Sequence, residues 1–100
     1  MLNQLIICGR FIESFKVDKD TYIKMMVPRS YKNEDGIYEN DIISAKIYRT
    51  IIENIKHCYK GDIIGIRGKI ETIKYNSGED KLVIIAEKVT ILSHRKKGDE

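Results

Sequence analysis

The 100-residue sequence has no tryptophan, one proline and two cysteines, and these scarcities exclude several kinds of site. Cys8 and Cys58 are far apart and form no CxxC pair, and no cluster of Cys and His accompanies them. A zinc site is therefore not expected. The apolar runs are much shorter than the roughly 20 residues of a membrane-spanning helix. Since no signal peptide pattern opens the chain, we expect a cytoplasmic protein with reduced thiols and no membrane partner.

Catalytic signatures are missing as well. The sequence contains no phosphate-binding glycine loop, no Ser-His-Asp order and no paired carboxylates with acid–base spacing. Asp18 and Asp20 lie in a predicted turn, and the adjacent His57 and Cys58 cannot share one face of a helix. We therefore expect neither an enzyme nor a bound cofactor or metal.

The charge balance is mildly basic, at +3 from 18 basic and 15 acidic residues. This balance is compatible with a polyanionic partner, although an ordinary solvated surface has the same composition. A chain of this length forms one domain with a modest core, and oligomerisation is a common remedy for a small core.

Alternating apolar and polar residues predict five strands, and isoleucine-rich composition supports them. Turn signals at Asp35-Gly36 and at 76–78 predict two hairpins. Between the third and fourth strands, Ile51, Ile52, Ile55 and Tyr59 have the spacing of one helix face. Thr50 and Glu53 resemble a capping box, and Gly61 can end the helix. The predicted strands cover 2–15, 21–28, 41–48, 62–75 and 81–92, and the helix covers 49–59.

Three strands, one helix and two strands are the element order of the OB-fold. We therefore predict an all-β, five-stranded Greek-key barrel with one short helix between strands 3 and 4. In this arrangement the helix closes one end of the barrel through its isoleucines.

Four segments, taken in order, resemble the bacterial single-stranded DNA-binding proteins. They are the opening MLNQLIICGRF, the strand DIISAKIYR, the long strand KGDIIGIRGKIETIKY and the closing AEKVTIL. The resemblance covers residues 1–92 and implies an OB-fold domain that binds single-stranded DNA in replication, recombination or repair. It also implies a homo-oligomer, a tetramer first and a dimer second, with replication proteins as further partners. Residues 93–100 are predicted to be a short, charged, disordered tail.

The sequence departs from the family pattern at several points. Tyr48 stands where the family usually has a tryptophan before the helix, and Ile42 stands where an aromatic residue is frequent. Stacking on each base should therefore be weaker. The final HRKKGDE has none of the features of the family's acidic tail, so we expect a short member that lacks it.

Sequence-tolerant binding of a single strand requires cations for phosphates and flat rings for bases. The outward positions of the predicted strands supply both kinds of side chain. Arg10 has two alternatives, because it can reach a phosphate or pair with Glu13. The candidate nucleic-acid-binding residues are Arg10, Tyr22, Lys24, Lys46, Tyr48, Arg67, Lys69 and Tyr75.

Other functions stay open from the sequence. One is a tailless primosomal accessory protein, and another is an OB-fold protein-interaction module with little affinity for nucleic acid. The scarcity of strong aromatics favours the interaction module. RNA binding is a further alternative, which the helix between strands 3 and 4 disfavours.

Overall fold

The structure is a computed structural model, and it describes residues 2–95. Its elements are β1 (Leu5–Val17), β2 (Asp20–Lys32), β3 (Tyr38–Ile47), α1 (Arg49–Ile55), β4 (Ile63–Lys74) and β5 (Asp80–Ser93). The strands form a closed barrel in the order β1-β2-β3-β5-β4, with β3 and β5 parallel and the other pairs antiparallel. The predicted fold class, a five-stranded OB barrel with one helix between β3 and β4, is confirmed.

The barrel core follows the predicted alternation. On β3, Ala45 and Ile47 are buried whereas Ser44 is exposed, and on β4 Ile64 and Ile66 are buried whereas Arg67 is exposed. Because successive side chains of a strand point to opposite faces, each strand supplies one face to the core and leaves the other for a ligand or a partner.

The helix is shorter than predicted. It ends at Ile55, so His57, Cys58 and Tyr59 follow it in the connection to β4. The capping box is absent, since Tyr48 is the N-cap residue and no side chain caps the helix. Tyr59, which the spacing placed on the same helix face as the isoleucines, lies beyond the end of the helix and is 68% exposed. The role as a plug holds, because Ile51 and Ile55 join the core cluster.

The β2–β3 hairpin is longer than predicted, because β2 continues past Pro28 to Lys32 and β3 starts at Tyr38. The strand tolerates the proline through an irregular register between Pro28 and Lys32. The turn itself lies at the predicted Asp35-Gly36.

Gly68 allows β4 and β5 to approach closely. A Cβ atom built at Gly68 would overlap the backbone oxygen of Ile85, so a side chain there would separate the strands. The register between β4 and β5 shifts between Arg67 and Gly68. On β1 the bulge lies between Phe11 and Glu13. The glycine in the middle of an apolar strand at Gly9 is a typical place for a bulge, but the register there is regular. Gly9 instead lies against the backbone oxygen of Met26.

The last described residues extend beyond the domain boundary at residue 92. Ser93 is the final residue of β5, and the carboxylate of Asp62 contacts His94 and the backbone of Arg95. Residues 96–100 of the predicted tail lie outside the described residues. Within 2–95, no helix has the length and apolar character that crossing a membrane requires.

Candidate nucleic-acid interface

One row of residues crosses all five strands on the outer surface of the barrel. Residues that pair in register across neighbouring strands share a face of the sheet. Phe15 pairs with Tyr22, Tyr22 pairs with Lys46, and Ile85 pairs with both Lys46 and Lys69. We call this set the transverse row, and its members are Phe15, Tyr22, Lys46, Ile85 and Lys69.

The transverse row combines an aromatic pair with two lysines that flank an isoleucine. The rings of Phe15 and Tyr22 are stacked, with centroids 5.4 Å apart and planes 13° from parallel. Ile85 is only 2% exposed although it lies outside the barrel's core cluster. The row therefore has a buried isoleucine between two lysines, beside an aromatic pair.

Two further predicted residues lie against the row. The Nζ atom of Lys24 is 5.4 Å from the ring centre of Phe15, and the Nζ atom of Lys46 is 5.6 Å from that of Tyr48. Tyr48 directly follows β3 and is 48% exposed, so its ring is open to a ligand. The chain here turns from strand to helix, which holds the tyrosine at the edge of the row.

The cations of the row have acidic partners that leave them accessible. The Nζ atom of Lys46 is 3.4 Å from Asp20, and the Nζ atom of Lys69 is 3.2 Å from Glu71. The hydrogen bond and the charge of Glu71 raise the pKa of Lys69, and its ammonium group stays charged at neutral pH. Exposed pairs of this kind are weak, so a phosphate can replace the carboxylate.

Three predicted residues lie away from the row. Arg67 pairs with Ile6 and Lys88 on the outer face of β1, β4 and β5. Tyr75 follows the end of β4, where Lys81 lies over its ring. The Nη1 atom of Arg10 donates a hydrogen bond to the backbone oxygen of Gly61 at 2.8 Å. The sequence had suggested a phosphate contact or an ion pair with Glu13 for this arginine.

The sequence interpretation missed two members of the row, Phe15 and Ile85. The register shift between Phe11 and Glu13 changes which face Phe15 occupies, and this shift leaves no clear mark in the sequence. Ile85 directly follows Ile84, and because both are isoleucines the periodicity of β5 does not show which of them points away from the core. Both residues are recognised as members of the row only through the residues that pair with them on neighbouring strands.

A second polar cluster surrounds Asp62, which is 1% exposed. Its carboxylate accepts hydrogen bonds from the backbone N–H groups of Tyr59 at 2.9 Å and Arg95 at 2.8 Å, and it lies 3.1 Å from Nδ1 of His94. Burial by itself would raise the pKa of Asp62, but these hydrogen bonds outweigh it and lower the pKa. Burial and the nearby Asp62 charge raise the pKa of the Cys58 thiol.

Within residues 2–95, no group of three or more His, Cys, Asp or Glu side chains is arranged to hold a metal ion. The buried hydrogen bonds of Asp62 form a structural contact between the end of β5 and the connection before β4. The transverse row has partly exposed cations and rings, and Tyr48 at its edge is exposed, as binding of a nucleic acid requires.

The barrel topology defines an OB-fold protein, and comparison with known proteins shows which proteins the chain resembles. Single-stranded DNA-binding protein B of Bacillus subtilis is 29% identical over 94 residues, which cover 87% of this chain and 83% of the relative. Single-stranded DNA-binding protein 1 of Streptococcus pyogenes is 29% identical over 106 residues, which cover 95% of this chain and 82% of the relative. The predicted resemblance to bacterial single-stranded DNA-binding proteins is confirmed.

Solved structures establish the same fold. A small single-stranded DNA-binding protein from Mycoplasma pneumoniae superposes with a TM-score of 0.69 at 22% identity, covering 96% of this chain and 99% of that one. The Plasmodium falciparum single-stranded DNA-binding protein in complex with single-stranded DNA gives a TM-score of 0.70 at 15% identity. The superposition covers 93% of this chain and 96% of that one. No protein-family model matches the chain.

Proposed function

We propose that this protein binds single-stranded DNA with little sequence preference, through the transverse row and Tyr48. The observation that carries the proposal is the row itself, which places Lys46 and Lys69 on either side of Ile85 and beside the Phe15–Tyr22 pair. The names of the relatives in Bacillus and Streptococcus support the same ligand. Binding without catalysis, in DNA replication, recombination or repair, is part of the proposal.

In the proposed complex, the ammonium groups of Lys24, Lys46 and Lys69 contact phosphates, and the rings of Tyr48 and Tyr22 accept bases. Stacking on an aromatic side chain contributes about 1–3 kcal/mol per base. It also tolerates any sequence, because every base has a flat face. Tyr75, at the β4–β5 hairpin and away from the row, is a further candidate for stacking on a base.

The test is a titration with oligo-dT at two salt concentrations, followed by tyrosine fluorescence. The chain has six tyrosines and no tryptophan, so the signal comes from tyrosine alone. We expect quenching at low salt and an affinity that falls steeply with salt, because each phosphate contact releases counterions. The absence of quenching and of any binding at low salt would favour the alternative, a protein-interaction module.

We also propose that the protein works as a homo-oligomer, a tetramer first and a dimer second. Apolar side chains on the outer face of β1, β4 and β5 support this, with Ile6 73% exposed and Leu92 also exposed. We call this surface the assembly face, and it comprises Ile6, Cys8, Gly65, Thr90 and Leu92. Arg67 lies on the same face opposite Ile6, so a second subunit there would compete with DNA for this arginine.

The oligomeric state can be tested by sedimentation of an Ile6→Glu variant. A buried carboxylate at the subunit contact should reduce the particle to monomers. Ile37→Glu is the matched control, because Ile37 is an exposed isoleucine in the β2–β3 hairpin, away from the assembly face. Equal sizes for both variants and the wild type would exclude this face. The free thiol of Cys8 offers a second readout through cross-linking between subunits.

The cytoplasm is the proposed location, where the thiols of Cys8 and Cys58, which form no disulfide, would stay reduced. Replication proteins are proposed as further partners of the complex with DNA.

A further inference from the structure

A groove at the helix end of the barrel adjoins the transverse row. It lies between the β1–β2 hairpin and α1, and its volume is about 410 Å³. Phe15 links the two features, because it lines the groove and also stacks with Tyr22. The lining residues that concern the argument are Phe15, Lys16, Thr21, Ile52, Ile55 and Lys56.

The chemistry of the groove suits a nucleotide. Ile52 and Ile55 provide apolar wall for a base, and its volume lies within the roughly 300–1,000 Å³ of small-molecule sites. Lys16 and Lys56 supply cations for phosphate. Lys56 forms an exposed ion pair with Glu53 at 3.0 Å, which a phosphate can replace at little cost.

The position of the groove favours a nucleotide of the same bound strand over a separate ligand. A base stacked at Phe15 or Tyr22 would have the next nucleotide of its chain at the mouth of the groove. Lys24, whose Nζ atom lies 5.4 Å from the ring centre of Phe15, adds positive charge at this junction. The path therefore continues without a gap from the row towards α1.

We propose that this groove is a nucleotide subsite, in which a base packs against Ile52 and the adjoining phosphates lie near Lys16 and Lys56. The inference rests on the proposed function and extends the DNA path beyond the transverse row, onto the helix. It also gives α1 a role in binding in addition to closing the barrel.

The test compares two double variants that remove the same charge. Lys16→Ala with Lys56→Ala alters the groove, whereas Lys19→Ala with Lys60→Ala alters exposed lysines outside it. For oligo-dT, the slope of log K against log salt should fall in magnitude by about 1.4 for the groove variant, from two lost phosphate contacts on a single strand. The control variant should keep the wild-type slope.

A second measurement reads the groove directly by NMR of isoleucine methyl groups. On addition of oligo-dT, we expect the Ile52 methyl resonance to move, whereas that of Ile37 in the β2–β3 hairpin should stay in place. This readout needs no substitution, so it holds even if a variant folds poorly.

The outcomes separate the inference from the proposed function. If the wild type binds oligo-dT but the two double variants have equal slopes and the Ile52 resonance does not move, the subsite is overturned and the proposed function stands. If the wild type does not bind oligo-dT, both are overturned. An Ile52 resonance that responds to an acidic, apolar peptide and not to oligo-dT would make the groove a peptide site and overturn the subsite.

Discussion

The Asp62 cluster and the transverse row both bring polar groups together from separate parts of the chain, but they differ in exposure. Asp62 is 1% exposed and its carboxylate meets two backbone N–H groups and one imidazole. Lys46 and Lys69 each meet one carboxylate, and their side chains are 19% and 37% exposed. A buried group whose hydrogen bonds are satisfied stabilises the fold, whereas partly exposed cations in weak ion pairs remain available to a ligand.

The largest effect that separates the two regions is expected from Asp62→Ala. The change leaves the N–H groups of Tyr59 and Arg95 without their acceptor, and we expect the free energy of unfolding to fall by about 2–3 kcal/mol. Chemical denaturation measures this loss. Asp80→Ala, at an exposed position of the β4–β5 hairpin, is the control and should change little. Equal stability of both variants would contradict a structural role for Asp62.

Substitutions at the transverse row and Tyr48 should lower the affinity for oligo-dT and leave the free energy of unfolding nearly unchanged. Tyr48→Ala removes an exposed ring, and we expect a loss of about 1–3 kcal/mol in binding of oligo-dT, or about 5- to 150-fold. Tyr48→Phe should retain most of the affinity because the flat ring remains. Tyr59→Ala removes another exposed tyrosine, outside the row, and serves as the control. An unchanged affinity for Tyr48→Ala would remove Tyr48 from the site.

Acid should destabilise the protein through Asp62, by less than the alanine substitution does. Because the folded protein lowers the pKa of Asp62, this carboxylate stabilises the fold above its unfolded pKa of about 3.9. That contribution is lost as the pH falls through the lowered folded pKa. We expect Asp62→Asn to lose part of the dependence of stability on pH in this acid range. An unaltered dependence would assign it to other carboxylates.

The smallest effect is expected from Arg29→Ala in the β2–β3 hairpin. The Nη2 atom of Arg29 lies 2.9 Å from Asp41, whose pKa is lowered by hydrogen bonds from this guanidinium. The pair is partly exposed and lies outside both regions, so stability and affinity should each change little. A large loss of oligo-dT affinity on this substitution would show that the DNA path includes the hairpin.

The fold was predictable because apolar and polar residues alternate strongly along its strands, and this alternation can be recognised within each short segment of the sequence. The alternation of β3 and β4, the Asp35-Gly36 turn and the isoleucines of α1 are enough to predict the OB element order. The errors lie at the ends of elements. Tyr59 matched the helical spacing, yet α1 stops at Ile55, and the backbone N–H of Tyr59 binds the carboxylate of Asp62.

The sequence by itself determined the strand pattern, the outward direction of Lys46 and Tyr48, and the resemblance to single-stranded DNA-binding proteins. Only the tertiary structure decided which outward residues meet. Tyr22, Lys46 and Lys69 join one row, whereas Arg10, Arg67 and Tyr75 lie elsewhere. The reason is that cross-strand register and bulges depend on pairing between distant segments, and such pairing leaves no local periodicity in the chain.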